Sequence, residues 1–545
     1  MDRRDALVLL ATCAVAVFLS GLELMVTAVA LPAIVPDLAS WSELRRASWI
    51  INGYLLVSIV TMPIAGRLAD RHGVRPLLLA GLAAFTLGSL LSGAAPSLDA
   101  LIAARLVQAV GAGTLVPVAT AAASHLFEGH LRPRALGVIG AATFLGMAAG
   151  PFVGAAVLSA VHPEAMLEAA GLVGGPAAEL LAPSWRWVFY LNVPIGLAAL
   201  AVAWAAGAGW DTRGRPGRID LPGAAAFTVG LGALLLGLTL LGEGRGAVGD
   251  LDPALLAGGL IVVGGAGLVV AIGLDLRAED PFIDIRAFRD RSYAGAALVS
   301  VLTGYGLATA VIGAAVFVDR VLYGGPGTQQ VALGALAAAT AIGAFVSGLL
   351  VRRLSLTLVS VAGLVAAALA LALMSTWGPA TTAPYLAAGL ALFGLGFGVT
   401  VTPRSTAAVE ALGREAFGAA SASVTVARML GMAVGLAILT AYGSTTIERL
   451  TAEVYATPDA YRQYIPPDLR SRPLHDGLVV QALEEWAAAQ AAVVLGGVFL
   501  VASGVTLAAI GPALLLRGAP RILTARDAGT REGDEAERSG ATLAL

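Results

Sequence analysis

The chain has 545 residues, of which 58% are hydrophobic and 13% charged, against roughly 45–50% and about 25% in soluble domains. That leaves too little charged surface for a soluble fold, and the mean hydropathy of +0.83 makes the apolar excess a property of the whole chain. A formal net charge of −2 gives no electrostatic case for nucleic acid, and a single cysteine, Cys13, excludes a disulfide framework or thiolate metal site.

The remaining environment is a bilayer, where each spanning helix needs about 20 mostly apolar residues. Apolar runs bounded by charges, Pro or Gly clusters fall near 6–35, 46–66, 76–95, 100–122, 135–160, 185–208, 221–242, 254–275, 292–318, 329–350, 356–376, 383–403, 418–444 and 487–514. This predicts an all-α integral membrane fold of fourteen helices. Arg3 and Arg4 precede the first run, which exceeds the roughly 7–15 residues of a signal-peptide h-region and reads as a retained helix. The seventh and eighth runs are Gly- and Leu-rich and almost free of polar groups, as suits helices facing lipid. The chain thus divides into a six-helix bundle (1–208), a linker with two inserted helices (209–291) and a second six-helix bundle (292–516). The last 29 residues, 517–545, are charged and read as a disordered cytoplasmic tail.

All 34 basic residues are arginine, and the segmentation places well over half of them on one side. The clusters Arg67/Arg71/Arg75, Arg132/Arg134, Arg213/Arg215/Arg218 and Arg277/Arg286/Arg289/Arg291 set both termini in the cytoplasm by the positive-inside rule. Two external segments are long, 161–184 and 445–486. The flanks of the second have helical spacing, so the thirteenth and fourteenth helices are expected to project beyond the bilayer. A weak internal repeat, Gly66 to Arg75 against Gly348 to Ser355, sits at the same turn of each half. Duplicated halves of this kind build many secondary transporters.

Several motifs bear on chemistry. Gly66, Leu68, Asp70, Arg71, Gly73 and Arg75 match G-x-L-x-D-R-x-G-x-R. The glycines suit a tight turn between antiparallel helices, and Asp70 can cap the positive end of a neighbouring helix. Gly137, Gly146, Gly150, Pro151 and Gly154 follow G-x8-G-x3-G-P-x2-G, with Ala155 where a further glycine is usual. Small residues there permit close helix packing, and Pro151 removes a backbone donor. Arg105 and Gln108 lie one turn apart inside the fourth helix, and Arg428 lies inside the thirteenth. An intramembrane arginine is costly unless it is paired or faces water. Glu23 is the one carboxylate well inside a predicted span. Taking a carboxyl out of water favours its protonated form, the property a reversible proton carrier needs, although a locked salt bridge is the other reading of such a residue.

These segments resemble the major facilitator superfamily, and its fourteen-helix drug:proton antiporter branch in particular. Residues 66–75 resemble the superfamily's signature loop, 137–154 its antiporter motif, and Arg105 with Gln108 its fourth-helix motif. Residues 22–32 resemble that branch's first helix, with Glu23 for Asp and Ala28 for Asn. Trp185, Arg186, Trp187, Phe189, Asn192, Pro194 and Gly196 resemble its W-R-W-x-F-x-x-N-x-P-x-G segment. The resemblance implies two six-helix bundles plus two inserted helices in the inner membrane. It also implies a monomeric, non-enzymatic exporter of hydrophobic or amphipathic compounds, with no cofactor and the proton gradient as energy source. Glu23 and Arg105 would couple protons, the 66–75 loop would switch conformation, and Gln108 and Arg428 would line the cavity. A lipid or glycolipid exporter of the same superfamily is the alternative, with segment 445–486 handing lipid over. A membrane enzyme is the remote one, because no phosphate-binding or Asp-rich cluster is present.

Overall fold

A computed structural model of the chain describes residues 2–38, 44–47, 49–128, 131–161, 163, 175, 180–207, 210, 220–241, 253–278, 281–282, 285–412, 416–454 and 460–516. Most of segment 161–184, the arginine cluster at 213–218 and the tail 517–545 lie outside them. Among the described residues, fourteen helices are long and apolar enough to cross a membrane. The first six are α1 (Arg3–Leu38), α2 (Trp49–His72), α3 (Val74–Gly93), α4 (Leu98–Leu126), α5 (Arg132–Ala160) and α6 (Ser184–Ala206). The inserted pair is α7 (Leu221–Leu241) and α8 (Pro253–Asp275). The last six are α9 (Arg291–Arg320), α10 (Pro326–Leu350), α11 (Leu356–Met374), α12 (Ala383–Leu412), α13 (Phe417–Val454) and α14 (Gly477–Ala508).

Lipid tails are as apolar as leucine, so helices in a bilayer associate through close packing and internal polar contacts rather than through the hydrophobic effect. The first bundle forms where α1 packs on α4 and α5, and α4 on α2 and α3. The second forms where α12 packs on α10 and α11, and α9 on α13 and α14. The seam between the bundles is made mainly by α5 against α10 and by α2 against α13.

The inserted pair departs from the expectation of two lipid-facing helices. Leu255 and Val262 of α8 are 78% and 70% exposed, as a lipid face requires, but Leu231 of α7 is fully buried. It packs with Ile59, Met62 and Val426, so α7 leans on the seam between α2 and α13.

The thirteenth and fourteenth helices are long, as their sequence implied. α13 has 38 residues, about 57 Å at 1.5 Å per residue, well beyond a hydrocarbon core of roughly 30 Å. Where α13 ends and α14 begins, Val454, Tyr461, Ile465 and Val479 form a small separate core. Tyr464 and Trp486 pack ring to ring at 4.6 Å beside it. Residues 460–476, between the two helices, are therefore folded rather than merely solvated.

Candidate functional site: a buried polar cluster and an interbundle latch

Glu23 of α1 is completely buried, and Arg105 of α4 is 1% exposed. Arg105 donates from Nη1 to Glu23 Oε1 and to Gln108 Oε1, the latter at 2.7 Å. Its Nε reaches the Ile50 carbonyl at 3.3 Å, and its guanidinium carbon lies 4.1 Å from the centre of the Tyr54 ring. Asn192, opening the long part of α6, donates to Glu23 Oε2 and to Ser89 Oγ at 3.2 Å. The Thr27 hydroxyl lies 3.1 Å from Glu23 Oε1, one helical turn on. Both carboxylate oxygens are thus held, which is how a buried ion pair offsets its desolvation.

Glu23, Arg105 and Gln108 are therefore brought together as one cluster. Asn192 completes it, and sequence reasoning missed that role. The only local signal was its place in the tryptophan-rich segment opening α6, which says nothing of a partner on α1. The same segment is anchored by other contacts. Arg186 donates from Nη1 to the carbonyls of Gly93 and Ala95 at 2.8 and 2.7 Å, placing positive charge at the C-terminal end of α3. Trp185 donates from Nε1 to Asp37 at 2.9 Å.

The glycines of the 137–154 motif divide between two surfaces. Gly146 and Gly150 lie directly against α1. A Cβ on Gly146 would stand 2.1 Å from the Phe18 carbonyl, and one on Gly150 would stand 2.9 Å from that of Leu22. Gly154 meets Val26 and Val29, so α5 supports α1 on the turns flanking Glu23. Gly137 instead faces α10 across the seam, at Ala344 and Gly348. Pro151 lies inside α5, which continues as helix on both sides of it.

The 66–75 loop forms the latch. Gly73, at φ +92°, is the single residue between α2 and α3, a conformation that favours glycine. Gly66 is not part of that turn, contrary to the sequence expectation. It lies within α2, where a Cβ would sit 2.5 Å from the Gly418 carbonyl of α13. That approach lets Asp70 accept the backbone N–H of Gly418 at 2.8 Å and of Ala419 at 2.7 Å. The carboxylate thereby caps the positive N-terminus of α13. Arg71 is buried beside it, and Arg75 donates to the Trp204 carbonyl at 3.0 Å. Arg67 ties α2 to the segment after α8 through the Pro281 carbonyl at 2.6 Å.

In the second bundle the segmentation needs one correction. The twelfth apolar run ends at 403, which puts Arg404 just past its cytoplasmic end. In the structure α12 continues to Leu412, and Arg404 is 1% exposed inside it. Its Nη1 donates to the Thr303 hydroxyl at 2.6 Å. Arg428 lies on α13, with its guanidinium carbon 5.7 Å from the Phe144 ring of α5.

A further feature is an apolar cavity of about 400 Å³ beside the seam, lined by residues of α2, α7, α8 and α13 among others. Phe227, Leu231, Leu268, Val426 and Leu430 make much of its wall.

Comparison with known proteins places this geometry. Residues 13–436 match the model of the Major Facilitator Superfamily. A triacylglyceride transporter of Mycolicibacterium hassiacum is 31% identical over 414 residues, covering 74% of this chain and 72% of the relative. A multidrug resistance protein B homolog of Mycobacterium tuberculosis is 28% identical over 522 residues, covering 92% and 88%. The solved structure of the proton:xylose symporter XylE superposes with a TM-score of 0.54 at 11% identity, over 92% of this chain and 95% of that one. With fourteen spanning helices, an interbundle latch at the 66–75 loop and a family match across most of its length, this chain is a multi-pass membrane transporter of the major facilitator superfamily.

Proposed function

We propose that this transporter exports a lipid or lipid-like amphiphile by alternating access, driven by protons that pass through Glu23. The observation that carries the coupling is the closed cluster of Glu23, Arg105 and Asn192 inside the first bundle. Protonation of Glu23 removes the counter-charge of Arg105 and one acceptor of Asn192. The cluster must then rearrange, and α1, wedged on α5 through Gly146 and Gly150, moves with it. Release of the proton on the other side restores the pair. A charge state thus selects between two packings, which is what coupling requires.

Lipid as the substrate class is supported by the names of the similar mycobacterial transporters and by the apolar cavity beside the seam. The folded segment between α13 and α14 gives a surface for handing a lipid over. Drug export is the second reading, favoured by the similarity to a multidrug resistance protein B homolog.

The test uses proteoliposomes with an imposed proton gradient, labelled trioleoylglycerol and, in a parallel arm, ethidium. Gradient-driven lipid movement in the native protein and its loss in Glu23→Gln is the expected result. Lipid movement at the native rate in that variant places coupling elsewhere. Deleting residues 455–475 should stop lipid export. If that deletion leaves lipid export intact, the hand-over role fails, and dye export without any lipid export favours the drug reading.

A further inference from the structure

The two bundles treat their buried arginines differently. Arg105 in the first has a carboxylate, an amide and a carbonyl as partners. Arg404 in the second has one hydroxyl, that of Thr303, and its Nη2 is buried with no partner. The Nε of Arg428 is likewise buried and unpartnered. The backbone at Arg428 is seated closely on α9, where a Cβ on Gly304 would lie 2.1 Å from the Arg428 carbonyl. Both arginines stand on spanning helices, Arg404 on α12 and Arg428 on α13. Among the described residues no carboxylate pairs with either.

Aromatic rings take the place of a counter-charge. The Arg404 guanidinium carbon lies 5.0 Å from the Phe397 ring centre, and that of Arg428 lies 5.7 Å from Phe144. The two rings meet edge to face at 5.7 Å. Phe144 belongs to the first bundle and the other groups to the second, so the pair of cations sits on the seam. Cation–π contact is weaker than ion pairing and leaves the N–H donors unused. Two unneutralised charges within a membrane span are costly, and such residues mark substrate paths.

We propose that Arg404 and Arg428 form a binding site for the anionic head, a carboxylate or phosphate, of an amphiphile whose apolar tail packs on Phe144 and Phe397. An anion held by the guanidinium groups would supply the missing counter-charge and use the free N–H groups. Parting of the seam would admit it, which rests on the alternating-access reading above. The substrate class differs from a neutral triacylglyceride in carrying one charged head.

The test is equilibrium binding to the purified full-length protein in nanodiscs of neutral lipid, with no gradient, comparing oleate with methyl oleate. Oleate should bind at least tenfold more tightly than its uncharged ester. Arg404→Met should remove that preference with methyl oleate binding unchanged, and Arg404→Lys should keep part of it. Arg428→Met supplies an independent deletion should Arg404→Met fail to fold, as judged by size-exclusion chromatography. Dioleoyl phosphatidic acid should compete with oleate, whereas inorganic phosphate at the same concentration should not. Equal binding of acid and ester, or a preference that survives in Arg404→Met or Arg428→Met, overturns the site. Full competition by inorganic phosphate overturns the amphiphile in favour of a free anion. Glu23→Gln should retain the oleate preference, so failure of proton coupling is read separately from failure of this site.

Discussion

The carboxylate of Asp70 and the backbone N–H of Gly418, 348 positions apart in the chain, meet at 2.8 Å across the seam between the two bundles. A second N–H, from Ala419, is held by the other carboxylate oxygen at 2.7 Å. This contact ties the two bundles together, and on the alternating-access reading proposed above it breaks when they rearrange.

Asp70→Asn keeps the size of the side chain but loses the charge and one acceptor. A carboxylate at a helix N-terminus contributes roughly 0.3–1 kcal/mol, and up to about 2 when partly buried. Transport rate should fall several-fold up to tenfold with membrane insertion unchanged, measured as flux per inserted molecule. An unaltered rate would leave the loop with a topological role only.

The Glu23–Arg105 pair allows a double-mutant test. Removing one member strands the other in the bundle interior, at a cost of about 3–5 kcal/mol. Replacing both costs far less. Arg105→Met should therefore lower the midpoint of thermal unfolding more than Glu23→Gln combined with Arg105→Met. Scanning calorimetry or tryptophan fluorescence gives the order directly, and the reverse order would mean the pair does not govern stability.

Arg186 donates to two carbonyls at the end of α3. Arg186→Met leaves these acceptors unsatisfied, which should destabilise the first bundle by on the order of 2 kcal/mol. The expected readout is a lower yield of monodisperse protein and a lower unfolding midpoint.

Sidedness rests on the arginine distribution, and it yields a direct expectation. A fluorescent reporter fused after Leu545 should be active only in the cytoplasm. A periplasmic C-terminus would reverse the assignment of every loop.

The segment between α13 and α14 should respond to acid. Asp476 caps α14 by accepting the Leu478 N–H at 2.9 Å, and it also pairs with Arg472 at 3.0 Å. These contacts hold its carboxyl below the ordinary value of 3.8, the backbone hydrogen bond first and Arg472 next. A depressed folded value means the stabilisation is present above about pH 3.8 and is lost as the pH falls through the lower folded value. Residues 460–476 should resist pepsin near pH 4 and become cleavable at clearly lower pH. Asp476→Ala should be cleavable by chymotrypsin at Tyr461 or Tyr464 already at pH 7.

Much of this was legible in the chain alone. The fourteen spans follow from local apolar length, because a bilayer demands that each helix satisfy its own backbone. The latch loop and the glycine motif follow from residue type at fixed spacing, and Glu23 stood out as an acid within an apolar run. What the spacing does not carry is the partner. Asn192 lies 169 positions from Glu23 and is brought to it only by the packing of α6 on α1. Gly66 read as a turn residue because its neighbours end a helix, whereas its function depends on Gly418 in the other half.

Arg404 shows the same limit in sharper form. A charge at the end of an apolar run looks the same whether the helix stops there or continues. Only the continuation of α12 and the Thr303 hydroxyl on α9 place it inside the protein. Sequence by itself determined how many helices cross, since that depends on local transfer from water to lipid. Tertiary structure decided which buried arginines have a carboxylate partner and which do not, because a counter-charge acts through a few ångströms of space and not through position along the chain.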